Sequence, residues 1–142
     1  MRELCSDRGL RYADLPCVLR AWNLGNMVIS LPDQQKSVCQ KFCAEFLQCD
    51  PSLRIGISRD FDPRQFPING LRHPPEESMA GWYLWSGEDF SEAADFFAAI
   101  HVWHIHDRYP DLSKYLGLAP GWRFLVAPGY EDVWYDANLL NI

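Results

Sequence analysis

The sequence predicts one α+β domain over residues 1–142, with a mostly antiparallel sheet and helices packed on one face. Three observations predict it: short apolar runs with strand alternation recur along the chain, apolar stripes at helical spacing lie between them, and Pro-Gly pairs mark the breaks. With 48% apolar and 14% aromatic residues, a chain of this length has material for a true core.

From Asn26 to Leu31 the alternation of Met27, Ile29 and Leu31 predicts a short strand ending at Pro32. A helix should follow, capped by Asp33, because Val38, Cys39, Phe42, Cys43, Phe46 and Cys49 recur at steps that paint one stripe. Leu53, Ile55 and Ile57 alternate with Arg54, Gly56 and Ser58, which predicts a strand covered on one face and wet on the other. Residues 60–80 show no period, and Pro63, Pro67, Gly70, Pro74 and Pro75 interrupt helix and sheet alike, so this stretch reads as one long loop. Loops beyond about 12–15 residues in compact domains tend either to bind something or to be disordered.

Gly81-Trp82-Tyr83-Leu84-Trp85-Ser86-Gly87 is apolar on both alternating faces, as a strand in mid-sheet requires. Ser91 can cap a helix carrying Ala93, Phe96, Phe97, Ile100 and Trp103, which Pro110 closes before a short helical turn through Tyr115-Leu116-Gly117. After a turn at Pro120-Gly121, the segments 122–126 and 132–135 form the last two strands, joined as a hairpin through Pro128-Gly129.

Composition excludes several function classes. The N-terminal Met1-Arg2-Glu3-Leu4-Cys5-Ser6-Asp7-Arg8 lacks the apolar core of an export signal, and no run of 18 apolar residues follows, so no membrane partner is expected. Five cysteines (Cys5, Cys17, Cys39, Cys43, Cys49), an odd number, point to reduced thiols and a cytoplasmic location. A net charge of −6 gives phosphate backbones no basic surface to meet, so nucleic acid is not an expected partner. The charge is uneven: residues 1–75 carry ten Lys/Arg against eight Asp/Glu, whereas residues 76–142 carry three against eleven. An acidic half of this kind attracts a basic partner and speeds its encounter.

Of the constellations that carry chemistry, His101-x-x-His104-x-His106 is the sharpest, since imidazoles three apart on a helix share a face. On a helix His106 points away from the other two, which leaves His101 and His104 in need of carboxylates such as Asp107 or Asp95. Packing in an aromatic layer with Phe97 and Trp103 explains the same residues without a metal, and no cofactor is called for. Asp60-Phe61-Asp62 reads as two turn-forming aspartates, and Cys39 and Cys43 as small core residues on the helical stripe. Phosphate-binding glycine loops and the Gly-x-Ser-x-Gly elbow are missing, and Lys36, Lys41 and Lys114 have no catalytic neighbours. What remains is a set of aromatics (Trp82, Tyr83, Trp85, Trp122, Tyr130, Trp134, Tyr135), most of them needed for the core, interleaved with carboxylates. Glu76, Glu77, Glu88, Asp89, Glu92, Glu131, Asp132 and Asp136 are therefore the candidate partner-binding residues.

Gly81-Trp82-Tyr83-Leu84-Trp85-Ser86-Gly87-Glu88, Asp95-Phe96-Phe97, His101 with His104, Tyr115 through Leu125, and Tyr130-Glu131-Asp132-Val133-Trp134-Tyr135-Asp136 together resemble a family of immunity proteins from bacterial polymorphic-toxin systems. The resemblance covers roughly residues 79–141, and residues 1–78 show none. It implies a non-catalytic cytoplasmic protein that binds a cognate toxin and occludes its active site, and it carries no site residues. The competing readings are a small-ligand or metal-assisted enzyme domain using His101 and His104, and an adaptor for another protein.

Overall fold

The computed structural model describes residues 30–88, 90, 93 and 95–141. Its elements are α1 (Leu31–Phe42), β1 (Arg54–Ser58), β2 (Ile68–Arg72), β3 (Met79–Ser86), β4 (Phe97–His101), α2 (Val102–Arg108), α3 (Pro110–Ser113), β5 (Trp122–Ala127), β6 (Tyr130–Tyr135) and a 3-10 turn (Ala137–Leu140). The strands form one six-stranded sheet in the order β4-β1-β3-β2-β5-β6. Among the described residues only the β1–β3 pair is parallel, so the mostly antiparallel α+β fold read from the sequence is observed, with one parallel pair that the sequence does not specify.

Alternation sorts the strands onto two faces. Ile55, Ile57, Trp82, Leu84, Phe124 and Val133 point toward Val38 and Cys39 of α1, Val102 and Ile105 of α2, and Leu112 of α3, making the main core. The other face carries a smaller cluster of Leu71, Trp85 and Leu139 with Tyr83, Phe96 and Phe97. Thus the α-helices lie on one side, and the 3-10 turn supplies Leu139 to the other.

Several boundaries differ from the sequence reading. Residues 26–29 lie outside the described residues, but Leu31, expected to end a strand, opens α1. Ser30 rather than Asp33 is its cap, its hydroxyl accepting from the Asp33 N–H at 3.4 Å. The helix stops at Phe42, because Cys43 turns left-handed (φ 55°). Cys43 is therefore a helix terminator, half-buried rather than part of a core stripe, and Phe46 and Cys49 pack inward from the following loop, not from the helix. β1 is also closed on both sides, since Gly56 and Ser58 are buried beneath Tyr83 and Phe97.

The largest correction falls at 60–80. This stretch is not one loop but contains β2, paired to β3 on one side and β5 on the other. Its prolines flank the strand, and Gly70 within it leaves room for the Phe124 ring; a Cβ there would sit 2.1 Å from a ring carbon. The helix expected from Ser91 through Trp103 is likewise absent over Phe97–His101, which forms the edge strand β4 along β1, the helix starting only at Val102. Ser91 itself lies outside the described residues.

β2 ends in Arg72, whose guanidinium is 1% exposed. It donates to the carbonyls of Leu118 (2.7 Å), Leu47 (2.9 Å), Ala80 (3.0 Å) and, more weakly, Leu116 (3.5 Å). Leu116 also accepts from the indole of Trp82 at 3.0 Å. One cation thereby bonds a carbonyl of β3 and carbonyls of two loops, tying residues 47 and 116–118 to the sheet.

Candidate partner-docking surface

Strand register fixes where the candidate carboxylates lie. Ser86 pairs with Ile68, Ile68 with Val126, and Val126 with Glu131, so these residues form one row across the sheet. Glu88, Glu131 and Asp132 therefore belong to the end where β3 and β5 finish and β2 and β6 begin. Ser58 closes β1 at that same end, because β1 runs parallel to β3. At the opposite end, Arg72 pairs with Trp82 and Trp122 with Tyr135, which places Glu76, Glu77 and Asp136 there. Asp89 and Glu92 lie outside the described residues.

The carboxylates also differ in what they already hold. Glu88 is exposed. Glu131 accepts from the Lys41 ammonium at 2.7 Å and from the Tyr115 hydroxyl, joining α1 and the 114–117 turn to β6. Partial burial pushes its carboxyl up, but the bonds from Lys41 and Tyr115 outweigh that and hold it below its ordinary value. Burial and the same bond drive the Tyr115 phenol up, so it stays a donor at all physiological pH. Asp132 is half-buried opposite Leu125. Asp136 pairs with Arg123 at 3.3 Å and caps the 3-10 turn through the Asn138 N–H. Glu76 and Glu77 are exposed in the tight β2–β3 turn, closed by reciprocal backbone bonds between Glu76 and Met79.

The three histidines do not share one site. His101 ends β4 and His104 lies in α2, their ring centroids 6.0 Å apart, with the Trp103 ring stacked on His104 at 3.8 Å. His106 turns to the other side, its Nδ1 2.8 Å from the Ser113 hydroxyl, and burial lowers its pKa. It lines a groove of about 410 Å³ with Leu31, Pro32, Gln35, Lys36, Phe46, Gln48, Cys49 and Pro51, which neither His101 nor His104 enters. Among the described residues no three His, Cys, Asp or Glu side chains gather into a metal-binding group. Cys39 and Cys49 are buried thiols that desolvation pushes up to about 11, which keeps them protonated and unreactive. Asp62 accepts from the backbone and side chain of Arg64, the turn role expected of it.

Sequence reasoning missed two residues at the Glu88 end. Phe66 and Phe90 are 44% and 49% exposed there, joined by Tyr130 at 55%. Phe90 stands alone between polar residues in the chain, where no periodicity marks it.

Comparison with known families gives the class, that of the immunity proteins. The particular family is the Imm33-like domain, which matches residues 34–136, and the chain belongs to it. The match begins at Gln34, so much of the region that bears none of the quoted motifs is family sequence too. No curated protein and no solved structure matches the chain. No helix among the described residues is long and apolar enough to cross a membrane.

Proposed function

We propose that this protein is a non-catalytic immunity protein of a polymorphic-toxin system, acting in the cytoplasm by binding a basic toxin domain and covering its active site. The observation that carries this reading is the family match over residues 34–136. The charge distribution supports it, because eleven of the nineteen acidic residues follow position 75 against three basic ones. The docking carboxylates are Glu88 and Asp132, with Asp89 and Glu92, which follow Glu88 in the sequence. Glu131 stands at the same end, with its carboxylate engaged by Lys41 and Tyr115. Glu76, Glu77 and Asp136 sit at the other end of the sheet, about one strand length away, and form a second acidic set at the margin of the proposed surface.

The test is co-expression with the toxin domain encoded in the adjacent reading frame. The expected result is restored growth and a one-to-one complex whose affinity falls as salt rises. Continued killing with no complex would refute the reading.

A further inference from the structure

We propose that Phe66, Phe90 and Tyr130 form the apolar centre of the docking face, and that they receive an arginine-rich protein surface. This rests on the immunity reading above and adds to it the anchoring residues and the partner's chemistry. The rings gather at one end of the sheet. Phe90 sits against Trp85 at the end of β3 (centroids 4.9 Å), Phe66 precedes β2, and Tyr130 opens β6. β3 and β6 are three strand spacings apart and Phe90 leans from β3 toward Phe97 of β4, so the set spans about 15–20 Å along the sheet end, within a standard interface. Phe90 is also held edge-on by Phe96 at 5.9 Å and packed against Phe97 at 6.1 Å, yet half its surface meets water. A ring fixed in this way loses little freedom when covered, the property of an interface anchor.

Charge selects the occupant. Asp60, Glu88 and Asp95 are exposed carboxylates at this end, where Arg64 and Lys41 pair with Asp62 and Glu131 and Arg59, bonded to the Asp95 carbonyl, keeps its charge, so acidic groups outnumber basic ones. Ring faces beside such carboxylates suit guanidinium better than ammonium, because its plane stacks on an aromatic face while its fork meets a carboxylate. The other end differs. Its exposed apolar side chains are Leu47, Trp103 and Leu140, and exposed Arg54 and Arg108 accompany them.

The experiment uses the full chain, its Phe90→Ala/Tyr130→Ala variant and a Glu76→Gln/Glu77→Gln control, each checked for an unchanged amide spectrum away from the substitution. Deca-arginine and deca-lysine peptides are titrated while backbone amide shifts are followed. The expected result is that shifts centre on residues 65–67, 87–90 and 127–132, deca-arginine binds at least about threefold tighter than deca-lysine, and only the aromatic variant loses about fivefold or more. Shifts centred on 74–79, no shifts, or equal binding by all three proteins would overturn the proposal. The adjacent-frame toxin domain separates the two readings. If wild type and aromatic variant bind it equally well, this surface is wrong and the immunity function stands. If wild type does not bind it, the immunity reading falls and the peptide titration alone judges the surface.

Discussion

The two faces of the sheet solve the problem of burial differently. On the helix-covered face the large polar groups turn inward: Trp82 is fully buried and donates to Leu116, and Arg72 spreads its protons over backbone carbonyls. Among the described residues no α-helix covers the other face, where Leu139 closes the middle while Phe90 and Tyr130 remain half in water. The two arginines facing these sides show the same contrast. Arg72 is sealed in, whereas Arg123 is partly exposed, pairing with Asp136 and lying over the Trp134 ring at 5.4 Å. Among the described residues the closed face holds the fold and the other leaves apolar surface in water, which the proposed contact with a partner would cover.

Substitutions on the closed face should therefore cost stability. Arg72→Met should have the largest effect, roughly 3–5 kcal/mol in chemical denaturation, because it strands several buried carbonyls at once. Gly81→Ala, a backbone clash within the sheet and not a loss on either face, should follow with about 2 kcal/mol or more: Gly81 has φ 97°, and a Cβ would fall 2.0 Å from the His73 carbonyl oxygen. Tyr115→Phe removes only the bond to Glu131 and should cost about 1 kcal/mol. His106 sharpens the comparison through pH. Its folded pKa lies below its ordinary 6.5, so the unfolded chain takes up the proton first. Its contribution is complete above that ordinary value and is lost as pH falls through the folded pKa, so the decline in Tm between pH 7.5 and 5.5 should be shallower in His106→Gln. On the open face Phe90→Ala should move stability least, by less than about 1 kcal/mol, since half the ring is already hydrated.

Strands with a strong apolar period were legible in advance: β1, β3, β5 and β6 fall where alternation and the Pro128-Gly129 turn put them. β2 was not, because Asn69, Gly70 and Arg72 break its pattern. Gly70 is there to admit Phe124 and Arg72 to bond distant carbonyls, requirements set by neighbours remote in sequence. β4 was hidden for a different reason. Phe97-Ala98-Ala99-Ile100 fits helix or strand locally, and pairing with β1 decides. Charge was readable at the level of halves but not of ends, since only strand register separates Glu88 from Glu76 and Glu77. Composition likewise gave no sign that Lys41 and Tyr115 engage Glu131.

The central claim is that carboxylates around Glu88 capture a basic toxin domain, and a calorimetric titration of that domain against Glu88→Lys/Asp89→Lys at low and high salt tests it most directly. The account predicts at least about tenfold weaker binding at low salt and a flatter salt dependence than wild type. Wild-type affinity with the same salt slope would contradict it.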